Sequence, residues 1–178
     1  HLFSPDHLSD WFTTADKGTL AYHHIDGQEI VLIEQMHSIS APIIALFANG
    51  KEFSIVDHWL HFHLSPSSAS DQLILIVEDG VIGVLLQKKG QLQLANQFCG
   101  HQMEDVLYFA SAVLQQHQFS QETPILLCGQ QANTELLHFF EPYFTSVKCW
   151  EAPFGLKMPK GHDAAIWHNL LLHTLCAS

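Results

Sequence analysis

"QLILIVEDGVIGVLLQKKGQLQLANQF", residues 72–98, decides the fold. Its first run, 72–79, is almost continuously apolar, the pattern of a strand covered on both faces. Asp79-Gly80 suits the positive φ of a hairpin turn, so "VIGVLLQ", 81–87, reads as the returning strand. "KKGQ" is a second turn, and "LQLANQF", 92–98, a third strand with partial alternation. Three consecutive antiparallel strands are expected here.

Downstream, "HQMEDVLYFASAVLQQHQF" places Met103, Val106, Leu107, Ala110, Val113 and Leu114 at helical spacing. Glu104 and Asp105 fall in its first turn, where they complement the helix dipole. "TPILLCG", 123–129, is a short buried strand entered by Pro124. "NTELLHFFEPYF" is a helix that Pro142 ends or kinks, and "SVKCWEA", 146–152, alternates as a strand. "HDAAIWHNLLLHTL" closes the chain as a helix with Asp163 as N-cap. Residues 72–178 therefore read β-β-β-α-β-α-β-α, an α/β mixed sheet with helices on both faces.

Upstream the pattern is less regular. "SPDHLSDWFTT" reads as a short helix with Ser4 as cap and Pro5 in its first turn. "TLAYHHID" and "EIVLIEQMHS" read as strands around the turn "DGQE", and "APIIALFAN" as a buried strand. "GKEFSIVDHWL" carries Phe53, Val56 and Leu60 at helical spacing, with "HFHL" expected to start a further strand. The polar, small-residue stretch "SPSSASD", 65–71, is the linker between two lobes, 1–66 and 67–178.

Composition removes several function classes. The chain has 178 residues, 47% apolar and 14% charged, which suits a filled core and not disorder. No apolar run approaches the ~18–20 residues that span a bilayer. Seven Lys, no Arg and a net charge of −11 argue against nucleic acid and anionic lipid, since phosphates are gripped by clustered Lys and Arg. Cys99, Cys128, Cys149 and Cys176 are widely spaced in apolar settings, without C-x-x-C. Buried free thiols and a cytoplasmic chain are the expectation.

The order β-β-β-α-β-α-β is that of the ribonuclease-H-like lobe that occurs twice in actin-like ATPases. The second half also resembles a bacterial family of unknown function with that fold. The resemblance lies in "NQFCGHQMEDVLYFASAVLQQHQF", "PILLCG" and "HDAAIWHNLLLHTLCAS". In that family a strand ending in Asn-x-Phe leads into an acidic-then-aromatic helix, and the chain closes on a short helix ending in Leu-Cys. The match covers 72–178 well and 1–66 loosely. Family members are longer at the N-terminus, so the resemblance implies a first lobe lacking its opening strands.

In active actin-like ATPases, glycine-rich hairpins cradle phosphates and a Gly-Gly turn after a late strand contacts adenosine. The matching positions here are Asp79, Gly80 and Gly83 in "VEDGVIGVLL" and Gly129 in "LLCGQQANTELL", where Gln130 stands in place of a second Gly. These four form the candidate nucleotide face for ATP with magnesium. The hairpin lacks a Gly-Gly-Thr/Ser run, and only Lys88 and Lys89 lie nearby, so no cofactor is the first expectation.

"DHWLHFH", 57–63, supplies a different candidate: His58, His61 and His63 as metal ligands. On the expected strand, His61 and His63 share one face, and His23, His24, His37 or Asp57 could complete the set. Against this, the fourteen histidines are scattered along the chain, and no H-E-x-x-H accompanies them. Cys99-Gly100-His101 reads as a strand-to-helix turn and not as a nucleophile–base pair. The first functional reading is a non-catalytic actin-like-fold protein acting with a protein partner or as a homo-oligomer. The alternatives are a nucleotide-binding ATPase and a metal-dependent enzyme.

Overall fold

The structure, a computed structural model, describes residues 19–24, 31–36, 55–63, 70–151, 164–169 and 171. In 19–24 and 31–36, and at Asp57, His61 and Ile166, it describes the backbone alone. The expected helix at Ser4–Pro5, the strand at 41–49, His37, most of the 65–71 linker, Asp163 and Cys176 lie outside the described residues. The chain divides into two compact units, His1–Asp57 and His58–Ser178.

In the first unit, β1 (Thr19–His24) and β2 (Val31–Met36) pair antiparallel, Thr19 opposite Met36 and His24 opposite Val31. This is the hairpin expected around "DGQE".

The second unit is built on a five-stranded mixed sheet. Its strands are β3 (Gln72–Glu78), β4 (Val81–Lys88), β5 (Gln91–Cys99), β6 (Ile125–Cys128) and β7 (Val147–Cys149), in the spatial order β5-β4-β3-β6-β7. β3, β4 and β5 form the expected antiparallel meander; β6 runs parallel beside β3, and β7 parallel beside β6. The helices are α1 (Ile55–His63), α2 (Met103–Gln116) and α3 (Thr134–Phe140), with a 3-10 helix at Ala164–Trp167. Three elements differ from expectation. β7 is shorter than the alternation suggested, and the closing helix opens as a 3-10 turn. Residues 61–63 continue α1 instead of beginning a strand.

Register assigns the faces. The space beside Gly83 is taken by the Trp59 ring, and Gln87 donates through Nε2 to the His63 carbonyl at 2.8 Å. Alternation then puts Gly83, Leu85 and Gln87 of β4 on the α1 side. Cross-strand pairing adds Ile74, Ile76 and Glu78 of β3, and Leu126 and Cys128 of β6. The other face carries Leu73, Leu75, Val77, Ile82, Val84, Leu86, Ile125 and Leu127. There Gly100, leading into α2, packs against Ile82. Leu73–Val77 and Ile82–Gln87 are buried throughout. Each such aliphatic side chain contributes about 1.5–3 kcal/mol by leaving water, which explains why β3 carries no polar–apolar alternation.

The two hairpins of this sheet turn differently. Lys89 and Gly90 both take positive φ, 51° and 77°, the signature of a type I′ turn. At Asp79-Gly80 only Gly80 does, at 76°. Asp105 starts α2 by accepting the backbone N–H groups of His101 and Gln102 at 2.9 and 3.1 Å. These bonds hold its carboxyl below the usual aspartate range. Asn133 caps α3 through the Leu136 N–H, and α3 ends at Phe140, ahead of Pro142.

Candidate functional site

The four glycine-face positions lie at one end of the central strands, where β3 turns into β4 and β6 leads toward α3. Gly83 is a ladder residue, opposite Ile76 on β3 and Gln97 on β5. A Cβ there would come within 2.5 Å of the Trp59 ring. Gly80 lies under the His101 imidazole, and its carbonyl accepts the Gly100 N–H at 3.3 Å. Gly129 has φ +99° and sits against the Val77 backbone, where a Cβ would approach the Val77 carbonyl oxygen to 2.6 Å. Its N–H donates to the Ala165 carbonyl at 2.9 Å, tying the end of β6 to the 3-10 helix.

A polar network closes the same end on the α1 side. Trp59 Nε1 donates to Asn169 Oδ1 at 2.9 Å, and Asn169 Nδ2 donates to Glu78 Oε1 at 2.5 Å. The Gln130 N–H also reaches Glu78 Oε1, at 3.3 Å. Half-burial raises the Glu78 carboxyl above the ordinary glutamate value, opposed by the two hydrogen bonds from Gln130 and Asn169. On the opposite face a cavity of about 190 Å³ opens between α2 and the β6–α3 turn, lined in part by Val77, Met103, Val106 and Leu136. Among the described residues that line it, Glu135 is the charged group and none is a cation.

Beneath the network lies a cluster of a different kind. His63 from the last turn of α1, Cys128 from the end of β6 and His168 from the closing segment bring three potential ligand atoms within 4.8 Å of one another, all buried. His63 Nε2 and His168 Nε2 are 2.8 Å apart, and the two rings stack with centroids 5.1 Å apart. Trp150 meets His168 edge-on at 5.0 Å, and Phe62 meets Trp150 at 5.8 Å.

Proton positions follow from one donor-only group. The Trp59 indole has no acceptor, so the Asn169 atom facing it is oxygen. That same oxygen faces His168 Nδ1 at 3.2 Å, so Nδ1 carries the proton and Nε2 bears a lone pair. His63 Nε2 must then donate to it. Burial, and then the neighbouring His168, bring the His63 imidazole down to about 3; burial brings His168 down to about 4, against the pull of Asn169. Both rings are neutral near pH 7. Burial, and then Cys149, push the Cys128 thiol well above its usual range.

The histidines of "DHWLHFH" are thus dealt out differently from the strand expectation. On a helix, residues two apart point about 200° apart around the axis, so His61 and His63 do not share a face. His58 is buried in α1, and the His61 side chain lies outside the described residues. Among the described side chains it is His63 that joins a group of potential metal ligands, with partners the local pattern did not indicate. His23 and His24 belong to β1. The thiols also differ from the uniform burial expected: Cys128 is buried, but Cys99 is exposed because β5 is an edge strand.

A family model described as "Protein of unknown function (DUF3822)" matches residues 1–147, most of the chain. The chain belongs to that family. Among solved structures, this member of the DUF3822 family is similar to a protein from Bacteroides thetaiotaomicron described as having an actin-like ATPase fold and unknown function. The TM-score is 0.79 at 18% identity, over 98% of this chain and 67% of that one. The fold is therefore actin-like, as the element order implied. A weaker likeness, TM-score 0.43 at 15% identity over 66% of this chain and 42% of the other, is to a filament structure of AlfA from a B. subtilis plasmid. No curated protein matches the chain. Among the described residues, no helix is long and apolar enough to cross a membrane.

Proposed function

We propose that this DUF3822 protein works by non-catalytic interaction, assembling with a second copy of itself through the β5 edge of its larger sheet. The observation that carries the reading is β5. It is nine residues long, lies at the sheet edge among the described residues, and has no charged residue or Pro. Edge strands are ordinarily blunted by Lys, Pro or pronounced bulges. In a chain with net charge −11, the stretch 90–103 is free of Asp, Glu and Lys, so two copies meet there without charge repulsion. The β4–β5 register shifts between Leu86 and Gln87, beyond which Leu94–Cys99 pair regularly. That leaves a six-residue run for antiparallel pairing about a two-fold axis, an isologous contact.

The non-catalytic part draws support from Gly83 and Glu78. A glycine set in a three-strand ladder under an indole has its backbone groups engaged with neighbouring strands and not turned to a phosphate. The Glu78 carboxylate occupies the Gln130 N–H beside the adenosine-type turn.

Sedimentation velocity of the full chain over a concentration series tests the reading. A reversible dimer is expected, lost in Gln97→Lys with melting temperature preserved. A monomer at every concentration, or a dimer indifferent to Gln97→Lys, overturns assembly through β5. Melting with Mg-ATP tests the rest. A ligand at a hundredfold its dissociation constant stabilises by about 2.7 kcal/mol; an upward shift of that order favours the nucleotide reading at Asp79, Gly80, Gly83 and Gly129.

A further inference from the structure

We propose that His63 Nε2, Cys128 Sγ and His168 Nε2 form a binding site for a borderline-to-soft transition-metal ion of the zinc class. The ion would act as a clip joining α1, β6 and the closing segment. The three donors come from separate elements, with His63 and His168 105 residues apart in sequence, yet their ligand atoms converge within 4.8 Å. Around tetrahedral zinc, with Zn–N of 2.0–2.1 Å and Zn–S of 2.3 Å, neighbouring ligand atoms lie about 3.3–3.6 Å apart. The 2.8 Å between the two imidazole nitrogens therefore needs to open by only about half an ångström to admit the ion.

The surroundings match what a metal-bound histidine requires. Such a histidine gives its second N–H to a fixed acceptor, which sets the tautomer and aims the lone pair. Asn169 Oδ1 does this for His168, and is itself oriented by Trp59 and Glu78. Two imidazoles and a thiol select zinc-like ions over magnesium or calcium, which take oxygen ligands. Among the described residues no fourth His, Cys, Asp or Glu joins the three. On binding, the Cys128 S–H bond breaks and the proton leaves to solvent as the metal–sulfur bond forms. The His63 proton moves from Nε2 to Nδ1, freeing Nε2 as the second nitrogen ligand. A divalent ion then leaves the centre with one net positive charge.

The test uses the full chain, stripped by chelator and reloaded with zinc alone. One zinc per chain is expected after gel filtration, with a higher melting temperature than the stripped protein. Cys128→Ser and His168→Gln are expected to abolish this stoichiometric zinc, and His138→Gln and Cys99→Ser, both exposed, to retain it. Asn169→Ala, a positioning change, is expected to weaken zinc affinity roughly 10–100-fold while leaving the stoichiometry at one. Because a buried substitution can unfold the chain, X-ray absorption of zinc-loaded unmodified protein supplies an independent reading: one sulfur and two imidazole nitrogens. No retained zinc, zinc unaffected by both variants, or a shell without sulfur overturns the site.

Discussion

Trp59 shows how one residue changes the meaning of another. Gly83, read alone in "VEDGVIGVLL", stands where the resemblance puts a phosphate-binding glycine; in the structure the Trp59 ring packs over it. Gly83→Ala is expected to cost about 1–3 kcal/mol by overpacking, measured by urea unfolding, and a neutral result would mean that the indole moves freely. Asn169 joins Trp59, His168 and Glu78, so Asn169→Leu leaves polar partners unmatched and should cost about 1–3 kcal/mol in the same assay. His63 and His168 make stability depend on pH. Their folded values, about 3 and about 4, lie below the ordinary 6.5, so the unfolded chain binds more protons between those limits. Their contribution is complete above pH 6.5 and is lost as pH falls toward 4 and then 3. Glu78, raised by burial, acts with the opposite sign: its contribution is present below 4.5 and lost as pH rises through its folded value. Melts of metal-free protein should therefore fall between pH 7 and 5, above the ordinary carboxylate range, and His168→Gln should flatten that limb.

At the scale of elements, most boundaries were legible because local chemistry and burial agreed. Asp105 and Asn133 stand where caps were needed, and Asn133→Ala should destabilise α3 and the fold by about 1 kcal/mol, read by thermal melting. Asp79-Gly80 was legible as a turn, but its turn type depends on a φ at Asp79 that the dipeptide leaves open. The misread element was α1. Residues 61–63 look like the start of a strand because His and Phe alternate there. The helical stripe through the buried Val56, Trp59 and Leu60 extends by the same spacing to His63, and Gln87 receives the helix end by donating to the His63 carbonyl. A cap supplied by another strand leaves no mark near the helix in sequence.

For the whole molecule, the sheet order predicts a gradient of local stability. β3, β4 and β6 are flanked by strands on both sides, while β5 is an edge. Amide exchange is therefore expected to be slowest across Leu73–Val77 and Ile82–Leu86 and faster across the outward-facing amides of β5. Self-association through β5 should slow that last set at high concentration. The meander and the alternating helices and strands followed from hydrophobic period, turn residues and caps, all of which act over a few neighbouring residues. The order of those elements is what resembled the actin-like fold. The likeness to a family of unknown function was likewise read from contiguous motifs, two of which fall within the matched residues 1–147 while the closing one lies beyond them. Only tertiary structure decided which histidine meets which. His63, Cys128 and His168 are brought together by the parallel pairing of β6 with β3 and by the return of the closing segment over the same face. Residues that far apart leave no spacing to read, because their meeting depends on strand order and not on any local periodicity.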